Sequence, residues 1–253
     1  MMAEIPFNNN HRANNFVIIM TDTQNKSMVG AYGQKEVCTP NLDKMAGEGI
    51  RFERAYTACP VCTPARGALF SGLHPQVNGA IANCLAPYAN IKMMGSLFKE
   101  RGFRVAYTGK WHLDGVESYM GGGEADGGFE PDWWYDGTTY LKDIGPEMAA
   151  KFGPMVNGKT SEDLRRDGFT REYIWGKRVA DKAVNFLENL GDEKFVLVVS
   201  FDEPHEPCFA PPEYWDRFTP DHVRNFLPST EDDLSDKPEL QRISRPRLMG
   251  ENS

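Results

Sequence analysis

Short apolar runs alternate with polar clusters along this chain, and several runs end abruptly in a cluster. Phe16-Val17-Ile18-Ile19-Met20 is apolar and β-branched at its centre, a pattern that predicts a buried parallel strand. It runs straight into Thr21-Asp22-Thr23-Gln24. Residues 103–108 predict a second strand, followed at once by Gly109-Lys110-Trp111-His112. Residues 195–200 predict a third, which delivers Phe201-Asp202-Glu203-Pro204-His205. Residues 51–57 read as a further strand. Helical signals lie between them. Residues 40–49 are closed by a glycine, residues 94–101 are stopped by Gly102, and a helix from the Cys62 segment ends near Gly72. A long helix is expected over 169–190, with apolar residues at 173, 179, 180, 183, 184, 187 and 190. Together these elements predict an α/β fold with a doubly wound, mostly parallel sheet and helices on both faces.

In open parallel sheets, ligands bind outside the carboxyl ends of the strands. Three of the predicted strands end in polar clusters, so Asp22, Lys110 with His112, and His205 are expected to converge with Cys62 on one sheet edge. Cys62-Thr63-Pro64-Ala65-Arg66 sharpens that expectation. It places a sulfur nucleophile just before an expected helix start, with Pro64 where a first helical residue tolerates proline. A helix N-terminus offers unpaired N–H groups and partial positive charge, which bind anions and lower a thiol pKa. Arg66 adds a planar cation suited to tetrahedral oxyanions. The combination points to chemistry on a sulfate or phosphate ester.

Composition narrows the field. The 253 residues suffice for one large α/β domain or two small ones. A net charge of -8 argues against a general nucleic-acid partner, though a few local cations can still serve an anionic substrate. No apolar run is long enough to span a bilayer, so no membrane partner is expected. The polar, Asn-rich start lacks the layout of a secretory signal, and the chain as written reads as cytoplasmic. Five cysteines, an odd count, argue against a closed disulfide framework. Cys38, Cys84 and Cys208 read as small, partly buried residues.

Other segments have plain readings. Residues 121–128 are glycine-rich, but no strand leads into them and Glu124 and Asp126 would repel an anion, so they read as a flexible surface loop rather than a phosphate cradle. Asp132-Trp133-Trp134-Tyr135-Asp136 reads as core packing. Asp114 reads as a turn residue or one that faces a substrate. Cys59-Pro60-Val61-Cys62 is also a Cys-x-x-Cys, which leaves a thiol redox role open; a zinc site would need a second pair, which is missing at the usual spacing. Residues 1–228 read as one catalytic-domain portion, and 229–253 as a charged, proline-containing tail.

Taken together the clusters resemble the type I sulfatase family of the alkaline-phosphatase-like superfamily. The resemblance rests on Ile18-Ile19-Met20-Thr21-Asp22 with Tyr32-Gly33 behind it, on Cys62-Thr63-Pro64-Ala65-Arg66 continuing to Ser71-Gly72, on Gly109-Lys110-Trp111-His112, and on Ser200 through Pro207. The pattern is most similar to bacterial sulfatases with a Thr-Asp-Thr-Gln start. The resemblance implies that Cys62 is converted to formylglycine by a maturation enzyme, and that the hydrated aldehyde attacks a small-molecule or carbohydrate sulfate ester while held on a divalent metal, usually calcium. It implies metal ligation by Asp22 and residue 62. Arg66 would brace the formylglycine, Lys110 would hold a sulfate oxygen, His112 would serve as base, and His205 would protonate the leaving oxygen or bind sulfate. A phosphonate or phosphate monoester hydrolase of the same superfamily shares that machinery and is the alternative; a fragment that needs a C-terminal complement is another. Two departures stand out. Thr23 occupies the place of a second aspartate, and the later strand with further metal ligands is missing: Asp221-His222 follows Thr219-Pro220 and no strand. The resemblance therefore implies an N-terminal portion of a sulfatase.

Overall fold

The computed structural model describes residues 15–115, 120–152, 161–205, 210–217 and 235–239. The chain divides into two compact units, Met1–Pro212 and Glu213–Ser253. In the second, Arg217 lies over the Tyr214 ring at 5.1 Å. No helix among the described residues is long and apolar enough to cross a membrane.

The first unit is built on four strands, β1 (Asn15–Thr21), β2 (Arg104–Gly109), β3 (Trp134–Tyr135) and β4 (Phe195–Phe201). Their order is β1-β4-β2-β3, and every pairing is parallel. The helices are α1 (Pro40–Glu48), α2 (Cys62–Ser71), α3 (Pro75–Asn78), α4 (Met94–Lys99), α5 (Gly137–Phe152), α6 (Ser161–Arg166) and α7 (Trp175–Asn189). Strands alternating with helices give the parallel α/β sheet that the sequence predicts.

Side chains on β2 and β4 alternate between two cores, as a strand period of two requires. Ala106, Leu197 and Val199 pack with Trp175, Val179, Ala183 and Phe186 of α7. Val105, Tyr107, Val196 and Val198 pack on the other face with Phe70 of α2 and Met93, just before α4. Helices thus cover both faces, and the two inner strands are buried on both. The second core is strongly aromatic. Tyr107 lies 5.0 Å from Trp111 and from Trp134, and 5.1 Å from Phe129; offset and edge-on pairs of this kind add to simple burial. The Trp134-Tyr135 pair is core, as its composition suggested.

Four expectations need correction. The apolar run of β1 is not buried. Among the described residues β1 pairs only with β4, so it is an edge strand, and Phe16, Val17 and Ile19 are 37 %, 49 % and 55 % exposed. Residues 51–57 form no strand: every one is exposed and so has no face to pack, and Arg51 is instead engaged by the Ala31 carbonyl and Glu53. The expected helix over 169–190 begins only at Trp175, after a short 3-10 turn at Arg171–Tyr173, because Phe169 is buried separately with Leu164. The glycine-rich segment is not a loose loop. A side chain at Gly128 would come within 2.2 Å of the Ser96 backbone nitrogen, so only glycine permits that close packing. It is no phosphate cradle either: the amides of Gly122 and Gly123 already donate to Asp114 and Asp136.

Candidate active site

The register of the sheet brings the polar clusters together. Met20 pairs with Ser200, Thr21 with Phe201, and Gly109 with Ser200, so β1, β2 and β4 end within a residue of one another. Asp22, Lys110 and Asp202 follow immediately. The join between β2 and β4 depends on Gly109, whose φ is +108°. A Cβ there would lie 1.8 Å from the Ser200 carbonyl oxygen. With glycine in place, the Lys110 amide donates to that oxygen at 2.9 Å.

Arg66 ties the three strand ends together from α2. It is 3 % exposed. Its Nη1 donates to the Lys110 carbonyl at 2.6 Å and to Ser200 Oγ at 2.9 Å, and its Nη2 to Asp22 Oδ2 at 3.2 Å. The Lys110 carbonyl also accepts from Ser200 Oγ at 2.9 Å and from the Tyr107 hydroxyl. The guanidinium expected to face an oxyanion thus spends these bonds inside the protein. Its cation remains beside Cys62, where it opposes the effect of burial on the thiol.

Cys62 is itself the first residue of α2, and Pro64 is the third rather than the first. The placement costs no hydrogen bond, because the first four N–H groups of a helix have no partner within it. The helix end is not an open anion cradle, however. The Thr63 amide donates to Asn83 Oδ1 at 3.1 Å, Pro64 has no N–H, and Ala65 bonds back to Val61. Nor is the thiol acidified. Burial pushes the Cys62 pKa up, helped by the Asp22 charge, and outweighs the opposing pull of Lys110 and Arg66. Cys62 is a protonated thiol at neutral pH, and Cys59 is likewise free of any disulfide. Cys38 is exposed rather than partly buried, Cys84 is half-buried, and Cys208 lies outside the described residues.

Around Cys62 the predicted residues do gather. Its Sγ is 3.9 Å from Asp22 Oδ1 and 4.0 Å from Lys110 Nζ. One donor atom each of Asp22, Cys62 and His205 lies within 4.8 Å of the others. Lys110 has no exposed surface, and its Nζ sits 2.8 Å from Asp22 Oδ2 and 2.8 Å from Asp202 Oδ1. Burial alone would raise the Asp22 pKa; the hydrogen bond and charge of Lys110, then those of Arg66, overcome it and hold the carboxyl at about 2. Thr23 Oγ1 donates to Asp22 Oδ1 at 3.3 Å, and Thr21 to Gln24 at 2.8 Å. A cavity of about 520 Å³ opens here, lined among others by Asp22, Tyr56, Cys62, Arg66 and Leu69.

His112 stands at the next position around the site. Its backbone is left-handed, with φ +60°. Its carbonyl accepts from Thr63 Oγ1 at 2.9 Å, and its Nε2 lies 3.6 Å from Cys84 Sγ. Burial first, then the cations Lys110 and Arg66, push its pKa down to about 4, so the ring is neutral at pH 7 and can accept a proton.

The sequence reading missed Asp202, Ser200, Tyr107 and Asn83 as parts of the site. Asp202 and Ser200 sit in the segment that led to His205; Tyr107 and Asn83 carry no local signal at all. Asp114 accepts from the Gly122 amide, which fits the turn reading.

The donor set also tests the metal. Calcium takes roughly six to eight oxygen ligands, whereas the cluster supplies one carboxylate, one thiol and one imidazole, with an ammonium already on the carboxylate. The described residues by themselves do not fit calcium.

Known proteins resemble this chain in sequence and in fold. The chain is 42 % identical over 231 residues to the uncharacterised sulfatase YidJ of Escherichia coli, covering 90 % of this chain and 46 % of that protein. It is 36 % identical over 220 residues to the N-acetylgalactosamine-6-sulfatase of Rattus norvegicus, covering 79 % and 41 %. The chain thus spans less than half the length of these relatives. Among solved structures, the phosphonate monoester hydrolase of Agrobacterium radiobacter superposes with a TM-score of 0.64 at 21 % identity, covering 82 % of this chain and 44 % of that one; this likeness establishes the fold alone. A sulfatase family model matches residues 14–236, and the chain belongs to the sulfatase family.

Proposed function

We propose that this chain carries the nucleophile-bearing part of a sulfatase active site, and that it acts on sulfate monoesters of a carbohydrate or other small alcohol through residue 62 as formylglycine. The observation that carries the reading is the convergence of Asp22, Arg66 and Lys110 on Cys62 at the ends of three parallel strands, within a chain of the sulfatase family. The upward push of burial on the thiol pKa supports it further, because it disfavours the thiolate nucleophile, whereas a hydroxyl of hydrated formylglycine at that position can attack sulfur. The name of the rat relative, an N-acetylgalactosamine-6-sulfatase, favours a sugar sulfate.

The chemistry uses this chain's own groups. Hydrated formylglycine has two hydroxyls on one carbon. One oxygen bonds to sulfur and its proton passes to water; the bond from sulfur to the alcohol oxygen breaks, and His205 gives that oxygen a proton. The second hydroxyl then yields its proton to neutral His112 as the carbon–oxygen bond to sulfate breaks, restoring the aldehyde. Asp22 lines the cavity, the Lys110 ammonium stands behind residue 62, and Arg66 supplies fixed positive charge beside the reacting carbon. A divalent metal, calcium in the family reading, would need oxygen donors beyond the described residues.

The test is mass spectrometry of the peptide spanning residue 62 after co-expression with a formylglycine-generating enzyme. Loss of the sulfur and gain of a hydrazide-reactive aldehyde at that position alone is the expected result. An unmodified cysteine under conditions that convert a control sulfatase would sink the reading. Turnover of an aryl sulfate against an aryl phosphonate, by the chain joined to the unmatched part of its Escherichia coli relative, then separates sulfate from phosphonate chemistry.

A further inference from the structure

The Lys110 ammonium is claimed twice. Asp22 is one partner, as the family reading allows. The other is Asp202, which follows β4 directly and whose side chain is 7 % exposed. Nothing in the family reading gives Asp202 a task, yet its Oδ1 lies 2.8 Å from Nζ, as Asp22 Oδ2 does; with Asp202 the contact is a buried ion pair rather than an aligned hydrogen bond. Among the described residues, three ion pairs link two carboxylates, Asp22 and Asp202, to two cations, Arg66 and Lys110, next to residue 62. The anion and Asp202 would compete for the same buried ammonium. Buried charges act on each other through a low effective dielectric, so one carboxylate more or less changes anion affinity strongly.

We propose that Asp202 is a positioning residue of the anion site: its carboxylate holds the Lys110 ammonium behind residue 62, 4.0 Å from its sulfur, and, by competing for it, sets how tightly a sulfate group is held beside residue 62. Asp202 touches neither residue 62 nor the anion and acts through Lys110. The inference rests on the sulfate-ester reading of this cavity.

The experiment measures how sodium sulfate, at constant ionic strength, protects Cys62 of the unmatured full chain from iodoacetamide, with peptide mapping to separate Cys62 from the other cysteines. Asp202→Asn removes the competing charge and should tighten sulfate protection about tenfold or more. Asp202→Glu keeps the charge and should protect at nearly the wild-type sulfate concentration. A merely structural role for Asp202 would loosen protection in both variants or leave it unchanged. Equal or weaker protection in Asp202→Asn overturns the proposal while leaving the anion site standing. No protection in wild type or in either variant overturns the sulfate reading, and the proposal with it. Circular dichroism checks folding, and Asp202→Ser, which also removes the charge, repeats the test if the Asn variant does not fold.

Discussion

Asp22 and His112 titrate in different ranges, yet acid weakens the fold through both. The unfolded imidazole takes a proton near the ordinary value of 6.5, but folded His112 resists until about 4, because it is buried and faces Lys110, Arg66 and His205, whose effect the Asp22 charge opposes without overcoming. The unfolded state therefore binds more protons across that interval, and stability falls as pH drops from about 6.5 to about 4. Asp22 repeats the pattern lower down: its folded value of about 2 lies under the ordinary 3.8, so its stabilisation, present above 3.8, is lost as pH falls toward 2. Allowing for solvent screening, each stage amounts to roughly 1–2 kcal/mol. Urea midpoints measured from neutral to acid pH should fall in two stages, with the upper stage missing in His112→Gln and the lower one reduced in Asp22→Asn. A wild-type midpoint that stays flat down to about pH 4.5 would refute the His112 assignment. At this scale the sequence showed Asp22, Cys62, Lys110 and His205 because each follows an apolar run or heads a helix. It did not show that Arg66 spends its bonds on the protein, nor that Cys62 stays protonated. Both follow from burial and from partners distant in the chain, which spacing does not encode.

The ends of strands, rather than their middles, decide whether the elements make a site. Gly109 is the clearest case, since its left-handed backbone and missing side chain let β2 and β4 close directly below Lys110. Gly109→Ala would drive a methyl into the Ser200 carbonyl, a backbone atom with little room to give. We expect a loss of about 3 kcal/mol or more in chemical denaturation. Gly115→Ala is the comparison: its φ is +74°, but its Cβ would meet the Ala86 methyl at 3.4 Å and the Ala86 nitrogen at 4.0 Å, both ordinary contacts, so the backbone strain alone, about 1–2 kcal/mol, should appear. Similar losses for the two variants would mean that the Gly109 approach is not essential. β2 and β4 were legible because a strand buried on both faces is apolar throughout. The same pattern misled for β1, whose apolar residues are as continuous but whose outer side has no partner among the described residues. It misled for residues 51–57, where aromatic and basic residues alternate with no core beneath them. Apolar pattern reports what a strand can bury, and neighbours decide what it does bury.

At the scale of the molecule, two tendencies oppose each other. The net charge of -8 keeps copies of the chain apart. The edge of β1, which has no partner strand among the described residues and exposes Phe16, Val17 and Ile19, with Tyr56 in the adjoining cavity at 88 % exposure, favours association: such a strand edge is a template for another strand, and exposed apolar side chains add a hydrophobic gain. Charge repulsion is long-ranged and weakens as salt shortens the screening length to roughly 8 Å at physiological ionic strength, whereas strand pairing and apolar contact survive salt. The chain should therefore be largely monomeric at low ionic strength and self-associate as salt rises, in sedimentation velocity runs at several protein concentrations. Ile19→Lys puts a charge on the exposed edge, at a position 55 % exposed that holds no place in either core, and should restore the monomer at high salt without lowering the denaturation midpoint. If the variant associates as strongly as the wild type, the β1 edge is not the sticky surface. The sheet then presents another face to its neighbours, most directly the outer side of α7, where Val184 and Leu187 are also exposed.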